Sequence, residues 1–135
     1  MAWGVLAWRG GREELMLHVH IDKIGEMAVV ECEGRVVRSD AAFKLRNAVT
    51  SLGDTRIIVI DLSKVRVIEG GGLGMLAFLR RWAQDHDIQF KLFNPTKAVH
   101  DRLEAANSFP QSDFASLHEM MTLLQRAGLQ YSWAA

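Results

Sequence analysis

The sequence lacks several features that would declare a function outright. It has one cysteine, Cys32, so no disulfide can form within the chain, and a reducing cytosol suits it. Its 16 basic and 16 acidic residues cancel. That removes the general electrostatic case for nucleic acid or an anionic membrane as partner. No apolar run approaches the roughly 20 residues of a membrane span, so direct membrane insertion is not expected. The opening residues, MAWGVLAWRGGREE, lack an early positive cluster and a long apolar segment, and do not read as a signal peptide. Repeats, low-complexity tracts and internal linkers are missing too. What remains is an ordinary globular composition, 49% apolar and 24% charged over 135 residues, enough for one domain with its own core.

Residues 1–14, with Trp3, Trp8 and a Gly-Gly pair, form a lead-in with no clear pattern. Then Leu17, Val19 and Ile21 alternate with His18, His20 and Asp22, the mark of a half-buried strand. Gly25-Glu26 reads as a hairpin turn into a second strand over 27–33, ended by Gly34. Ser39 is the expected N-cap of a helix whose buried face is Leu45, Ala48, Val49 and Leu52. The β-branched run Ile57, Ile58, Val59, Ile60 predicts a strand covered on both faces and closed by Asp61. A helix follows the glycines and reaches about Asp85, and IQFKLF reads as another strand. Asn94-Pro95 looks like a cap with proline at the first helical position, and Val99, Leu103 and Ala106 form that helix's buried face. SFPQSDF is a connection or a short edge strand. Leu117, Met120, Met121 and Leu124 predict a last amphipathic helix ended by Gly128, leaving a tail at 128–135. This order predicts an α/β fold. Its sheet is mixed, with about four or five strands and a parallel centre, joined by right-handed crossovers and packed with about four helices.

The stretch VRVIEGGGLGMLAFL, residues 65–79, puts Gly70, Gly71, Gly72 and Gly74 where a helix begins. Bare backbone at a helix start exposes N–H groups to an anion. A phosphate loop, however, needs Gly-Lys-Ser/Thr, and the chain has Gly72-Leu73-Gly74. Gly72, Gly74 and Ala77 fit a dinucleotide pattern, yet they do not directly follow the strand at 57–61, and the next strand ends in Asn94 rather than an acid. A tight, closely packed turn is the plainer reading. Binding of a nucleotide or small anion stays as the alternative of a different class.

The segment IIVIDLSKVRVIEGGGLGMLAFLRRWA resembles the centre of STAS domains, the family of bacterial anti-sigma factor antagonists. Asp61-Leu62-Ser63 matches the family's strand end, and Ile68, Gly72, Leu73 and Gly74 match its helix-opening motif. Gly34-Arg35 and Asn94-Pro95 fall where the family places turns. The resemblance covers roughly residues 15–127 and agrees with the element order above. It implies a protein-binding module rather than an enzyme, without cofactor or metal. In such antagonists a partner anti-sigma factor with kinase activity phosphorylates a Ser/Thr, and the unmodified form captures that partner and frees the sigma factor. Here Glu69 stands for the motif's Asp, Gly70 for its first Ser, and Gly71 for the phospho-acceptor.

The resemblance therefore implies a cytoplasmic regulator of transcription that exchanges partners and carries no phosphorylatable residue at the usual place. The expected contact surface comprises Glu69, Gly70, Gly71, Gly72 and Leu73, the approach to the first helix through Arg35 and Ser39, and Phe78 on the edge of the second helix, with Trp82 nearby. Membership of another assembly, such as a membrane-transport complex, is the second reading, and a homodimer stays open. Other candidates carry less. His18, His20 and Asp22 share a strand face as a metal chelate or as a solvated face. Ser63 is an alternative phosphate acceptor or a turn hydroxyl. Glu69 and Asp61 lack a nucleophile to work with. Cys32 reads as a buried structural thiol, and Arg80-Arg81 is too short for nucleic acid.

Overall fold

The alternation at the start of the chain folds as β1 (Leu17–Ile24) against β2 (Met27–Val36), antiparallel, in a computed structural model. It describes residues 17–36 and 39–134, with side-chain surroundings for 17–36 and 41–128; the expected lead-in at 1–14 lies outside the described residues. Gly25, at φ +60°, takes the left-handed conformation in the two-residue turn that pairs Ile24 with Met27. Beyond it come α1 (Ser39–Thr50), β3 (Ile57–Ile68), α2 (Gly71–Asp85), β4 (Gln89–Phe93), α3 (Lys97–Ala106), a 3₁₀ turn at Gln111–Asp113, β5 (Phe114–Ala115) and α4 (Leu117–Ala134). The strands lie in the order β1-β2-β3-β4-β5. Only the β1–β2 pair is antiparallel. The expected mixed sheet with a parallel centre is the one observed.

Period-two alternation divides the sheet into two faces. Ala28, Val30 and Cys32 of β2 and Ile58, Ile60 and Leu62 of β3 form one core with Leu45, Val49 and Leu52 and with Leu76, Leu79 and Ala83 of α2. Met27, Val29 and Val59 point the other way and are covered by Met120, Leu123 and Ala127 of α4. This is why 57–60 reads as unbroken apolar sequence: both faces of β3 are sealed there. Each fully buried Ile or Leu contributes about 1.5–3 kcal/mol by leaving water. Lys91, on β4, is the one buried ammonium among the described residues. Its Nζ donates to the Ser112 carbonyl at 2.7 Å and lies 3.1 Å from Glu119, joining β4 to α4. No described helix is long and apolar enough to cross a membrane.

Five boundaries differ from the sequence reading. Gly34 does not end β2, which continues through a register shift there to Val36. β3 does not close at Asp61 but runs on to Ile68. The Asp61 carboxylate accepts from the Ser63 backbone N–H at 2.9 Å and from its hydroxyl at 2.7 Å. That bond satisfies a donor where the register slips between Glu31 and Glu33, so the strand survives a polar interruption. Helix α3 opens at Lys97, not at Pro95. Asn94 takes φ +54°, and Thr96 is the cap, its hydroxyl accepting from the Val99 N–H at 3.3 Å. Ser39 is the first residue of α1 rather than a residue outside it; its side chain lies outside the described residues. Gly128 does not end the last helix, whose backbone continues through it to Ala134.

Cys32 is buried as expected, 1% exposed. Burial, and secondarily the Asp61 carboxylate, push its thiol from an ordinary value of 9.0 up to about 12. Below the ordinary value the thiol is protonated in both folded and unfolded chains and adds no pH dependence. Between the two values the unfolded chain loses the proton and the folded chain keeps it, so stability falls by on the order of 1 kcal/mol per pH unit as pH rises. Native protein is therefore expected to resist iodoacetamide at mildly alkaline pH, while denaturant exposes one reactive thiol. Cys32→Ala should lack the alkaline slope that wild type shows in urea titrations. Rapid alkylation of the native chain contradicts this burial.

Candidate functional site

The glycine segment begins where β3 ends. Ile68 is buried and pairs with Val36, the last residue of β2. Gly70 then takes φ +56° and ψ −121°, a conformation that disfavours a side chain. Glu69 N–H donates to the Val36 carbonyl at 3.4 Å, Gly72 N–H to Glu69 at 3.1 Å and Gly74 N–H to Gly70 at 3.2 Å. The first turn of α2 thus sits on the end of β2. A Cβ on Gly72 would lie 1.7 Å from the Val36 oxygen, so only glycine permits this seating.

Gly70 and Gly72 are therefore demanded by the fold, and Gly71 and Gly74 are not in the same way. Gly71 is exposed. A Cβ on Gly74, which is also exposed, would meet nothing within 4 Å. The two leave bare backbone on the outer face of α2, in one stripe with Phe78. One objection to a dinucleotide pattern falls, because β3 reaches Ile68 and the glycines do follow a strand. A firmer one replaces it: the close approach that Gly72 allows is already taken by the chain's own backbone.

The expected contact residues gather at one end of the sheet. Gly34, at φ +115°, marks a register shift beside Arg35, which pairs with Val67 of β3. Arg35 is half-buried, and its Nε is enclosed without a hydrogen-bond partner. Ser39 opens α1 three positions after Val36. Glu69 is exposed, its carboxylate 3.6 Å from the Arg102 guanidinium of α3. Leu73 is half-buried against the main core. Phe78 is 46% exposed. Trp82 belongs less to this surface: it packs against the core and stacks on His86, ring centroids 4.5 Å apart.

Sequence reasoning missed Phe43, Arg46 and Arg102. Phe43 is 52% exposed on α1, off the stripe of Leu45, Val49 and Leu52. The Arg46 guanidinium lies between the two aromatics, 6.0 Å from the Phe43 ring and 5.9 Å from the Phe78 ring. A large aromatic off the buried stripe of a helix was the available signal.

The remaining candidates have local partners. His20 lies 3.1 Å from Asp22, and Glu31 on the paired strand joins them, their ligand atoms within 4.8 Å of one another on an open surface. Ser63 is held by Asp61. Asp61 and Glu69 engage different residues and form no acid–base pair. Arg80 donates to Asp113, which breaks up the Arg80-Arg81 pair.

The fold is thus a mixed α/β sheet whose second helix opens on a bare, surface-facing turn. The model of the STAS domain matches residues 18–128, and the chain belongs to that family. No curated protein matches its sequence. Among solved structures, an anti-sigma factor antagonist from Mycobacterium paratuberculosis is 19% identical, with a TM-score of 0.65 over 81% of this chain and 94% of that one. The anti-sigma factor antagonist SpoIIAA in its unphosphorylated form is 12% identical, with a TM-score of 0.67 over 81% and 97%. The murine anion transporter Slc26a9 in its inward-facing state is 16% identical, with a TM-score of 0.62 over 78% of this chain and only 18% of that one. At these identities the likeness is one of fold.

The glycine assignments separate by stability. Gly72→Ala should cost at least about 1–3 kcal/mol through forced displacement of α2. Gly74→Ala should be neutral or stabilise by up to about 1 kcal/mol, since alanine is the better helix former. Urea unfolding of both variants checks this; equal effects contradict the seating of Gly72 on Val36.

Proposed function

We propose that the protein is a binding module of the anti-sigma factor antagonist kind, acting in the cytoplasm on sigma-factor-dependent transcription by capturing an anti-sigma factor with serine-kinase activity. The observation that carries this reading is the exposed backbone of Gly70 and Gly71, standing at the motif position where the family resemblance puts a hydroxyl. Glu69, Gly70, Gly71 and the half-buried Leu73 form the centre of the contact, with Arg35, Ser39 and Phe78 around it; Gly72, expected there too, is buried against Val36 and seats the turn from beneath. A stable contact of this kind buries about 1,200–2,000 Å² in total.

In the resemblance, phosphorylation adds about −1.5 to −2 charges to this surface and breaks the contact. Gly71 accepts no phosphate, so the protein stays competent to bind and is controlled by something other than a switch at that residue. No cofactor or metal takes part. The likeness to the anion transporter supports a second reading, in which the domain serves a membrane-transport assembly through the same face. A small anion at the bare start of α2 is the reading of a different class.

Incubation with the anti-sigma kinase and ATP should leave the protein unmodified while a stable complex forms. Phosphate recovered anywhere in residues 61–74 contradicts the proposal. Gly71→Glu places a charge in the contact and should weaken the complex by at least about tenfold; unchanged affinity means the surface is elsewhere. Co-purification with a transport protein in place of the kinase favours the second reading. A rise in melting temperature with nucleotide or phosphate favours the third.

A further inference from the structure

We propose that the contact surface extends from the glycine turn across the outer faces of α1 and α2, and that it takes an acidic protein segment carrying an apolar anchor. This rests on the protein-binding reading above and adds the chemistry of the partner. Four large apolar side chains are exposed among the described residues, and two of them, Phe43 and Phe78, lie on this face, 6.0 and 5.9 Å from the Arg46 guanidinium; the others, Leu117 and Met121, lie on α4. Arg46 sits between the two rings. Gly71, Gly74 and Phe78 form a continuous stripe, so a bare strip leads from the turn to Phe78.

The face carries charge of both signs, with Asp85 exposed one turn beyond Arg81 and Glu69 at the turn. Arg46 and Arg81 are exposed, and among the described residues neither has a carboxylate within ion-pairing distance. Lys23, Arg56, Arg80, Lys91, Lys97 and Arg102 each lie against an acid, whereas Lys44, Lys64 and Arg126 share with Arg46 and Arg81 the lack of one among the described residues. Arg81 follows Phe78 by three positions and so flanks it on the helix surface. A guanidinium held over aromatic faces keeps its N–H edge free for a carboxylate, while the rings offer flat apolar area.

This pattern selects among occupants. A second copy of the chain, docked through the same face about a two-fold axis, brings two arginines from each copy, Arg46 and Arg81, into one contact. Nucleic acid demands a run of phosphate contacts, and a neutral chain offering two cations here does not supply one. Carboxylates beside an aromatic or aliphatic anchor match both halves of the patch; Phe and Arg are enriched at such contacts, and Arg is a frequent carrier of their binding energy.

The test is selection of a random peptide library, displayed on phage, against the full chain. Recovered peptides are then measured by fluorescence anisotropy on wild type, Arg46→Glu, Arg46→Gln and Phe43→Ser, with the anti-sigma kinase as competitor. Both altered side chains are exposed, so an unchanged melting temperature is expected to certify the fold of each variant. The expected peptides are rich in Asp and Glu around an apolar residue. They lose at least about tenfold in affinity on Arg46→Glu, less on Arg46→Gln, and weaken in salt. Recovery of only neutral or basic peptides, or of acidic ones indifferent to Arg46→Glu and Phe43→Ser, overturns the surface. Acidic peptides that need Arg46 but are not displaced by the kinase uphold the surface and overturn the antagonist reading.

Discussion

The molecule turns on one contact, the seating of Gly72 against the Val36 carbonyl. At 1.7 Å from that oxygen there is no space for a Cβ. The contact ties the start of α2 to the end of β2, and the register of Val36 with Ile68 ties both to the end of β3. Leu76, Leu79 and Ala83 then fall on the sheet and are completely buried. With α2 fixed this closely, residues 69–71 have nowhere to go but outward. Bare backbone at the surface is thus a consequence of tight packing one residue further on.

That arrangement separates, along a few residues, those that hold the fold from those left at the surface. Gly70 and Gly72 serve the fold, one through its dihedral angles and one through close approach. Gly71 and Gly74 lie on the outside, where alanine would support the helix better. Their retention puts smooth backbone next to Phe78, Phe43 and Arg46, which supply apolar area and charge. On the other side of the turn, Glu69 leans on Arg102 across solvent. Both groups are about half exposed, so this pair orients the turn more than it stabilises the fold.

Much of the fold was legible because alternation and helical periodicity track burial. The hairpin at Gly25, the doubly covered strand at 57–60 and the sheet-facing stripe of α2 all follow from the apolar pattern. Two of the errors came where one side chain substitutes for a backbone partner. Asp61 looks like a strand terminator until its carboxylate is seen holding Ser63 through a register shift. Asn94 looks like a cap until Thr96 takes that role. Gly128 looks like a stop, yet α4 passes through it. At the candidate site, the motif around Gly71 could be read from sequence alone. The surface around Arg46 could not, because Phe43 of α1 and Phe78 of α2 both come within 6.0 Å of its guanidinium only through the packing of α1 on α2.

The central claim is that the turn at the start of α2, with the adjoining faces of α1 and α2, is a docking surface on which no covalent chemistry occurs. Amide hydrogen exchange of the full chain, with and without an anti-sigma factor kinase, tests it most directly. The account predicts slowed exchange on complex formation across residues 69–78 and the neighbouring part of α1, with β1 and α4 unchanged. Slowing confined to β1 or α4, with residues 69–78 exchanging as in the free protein, contradicts it.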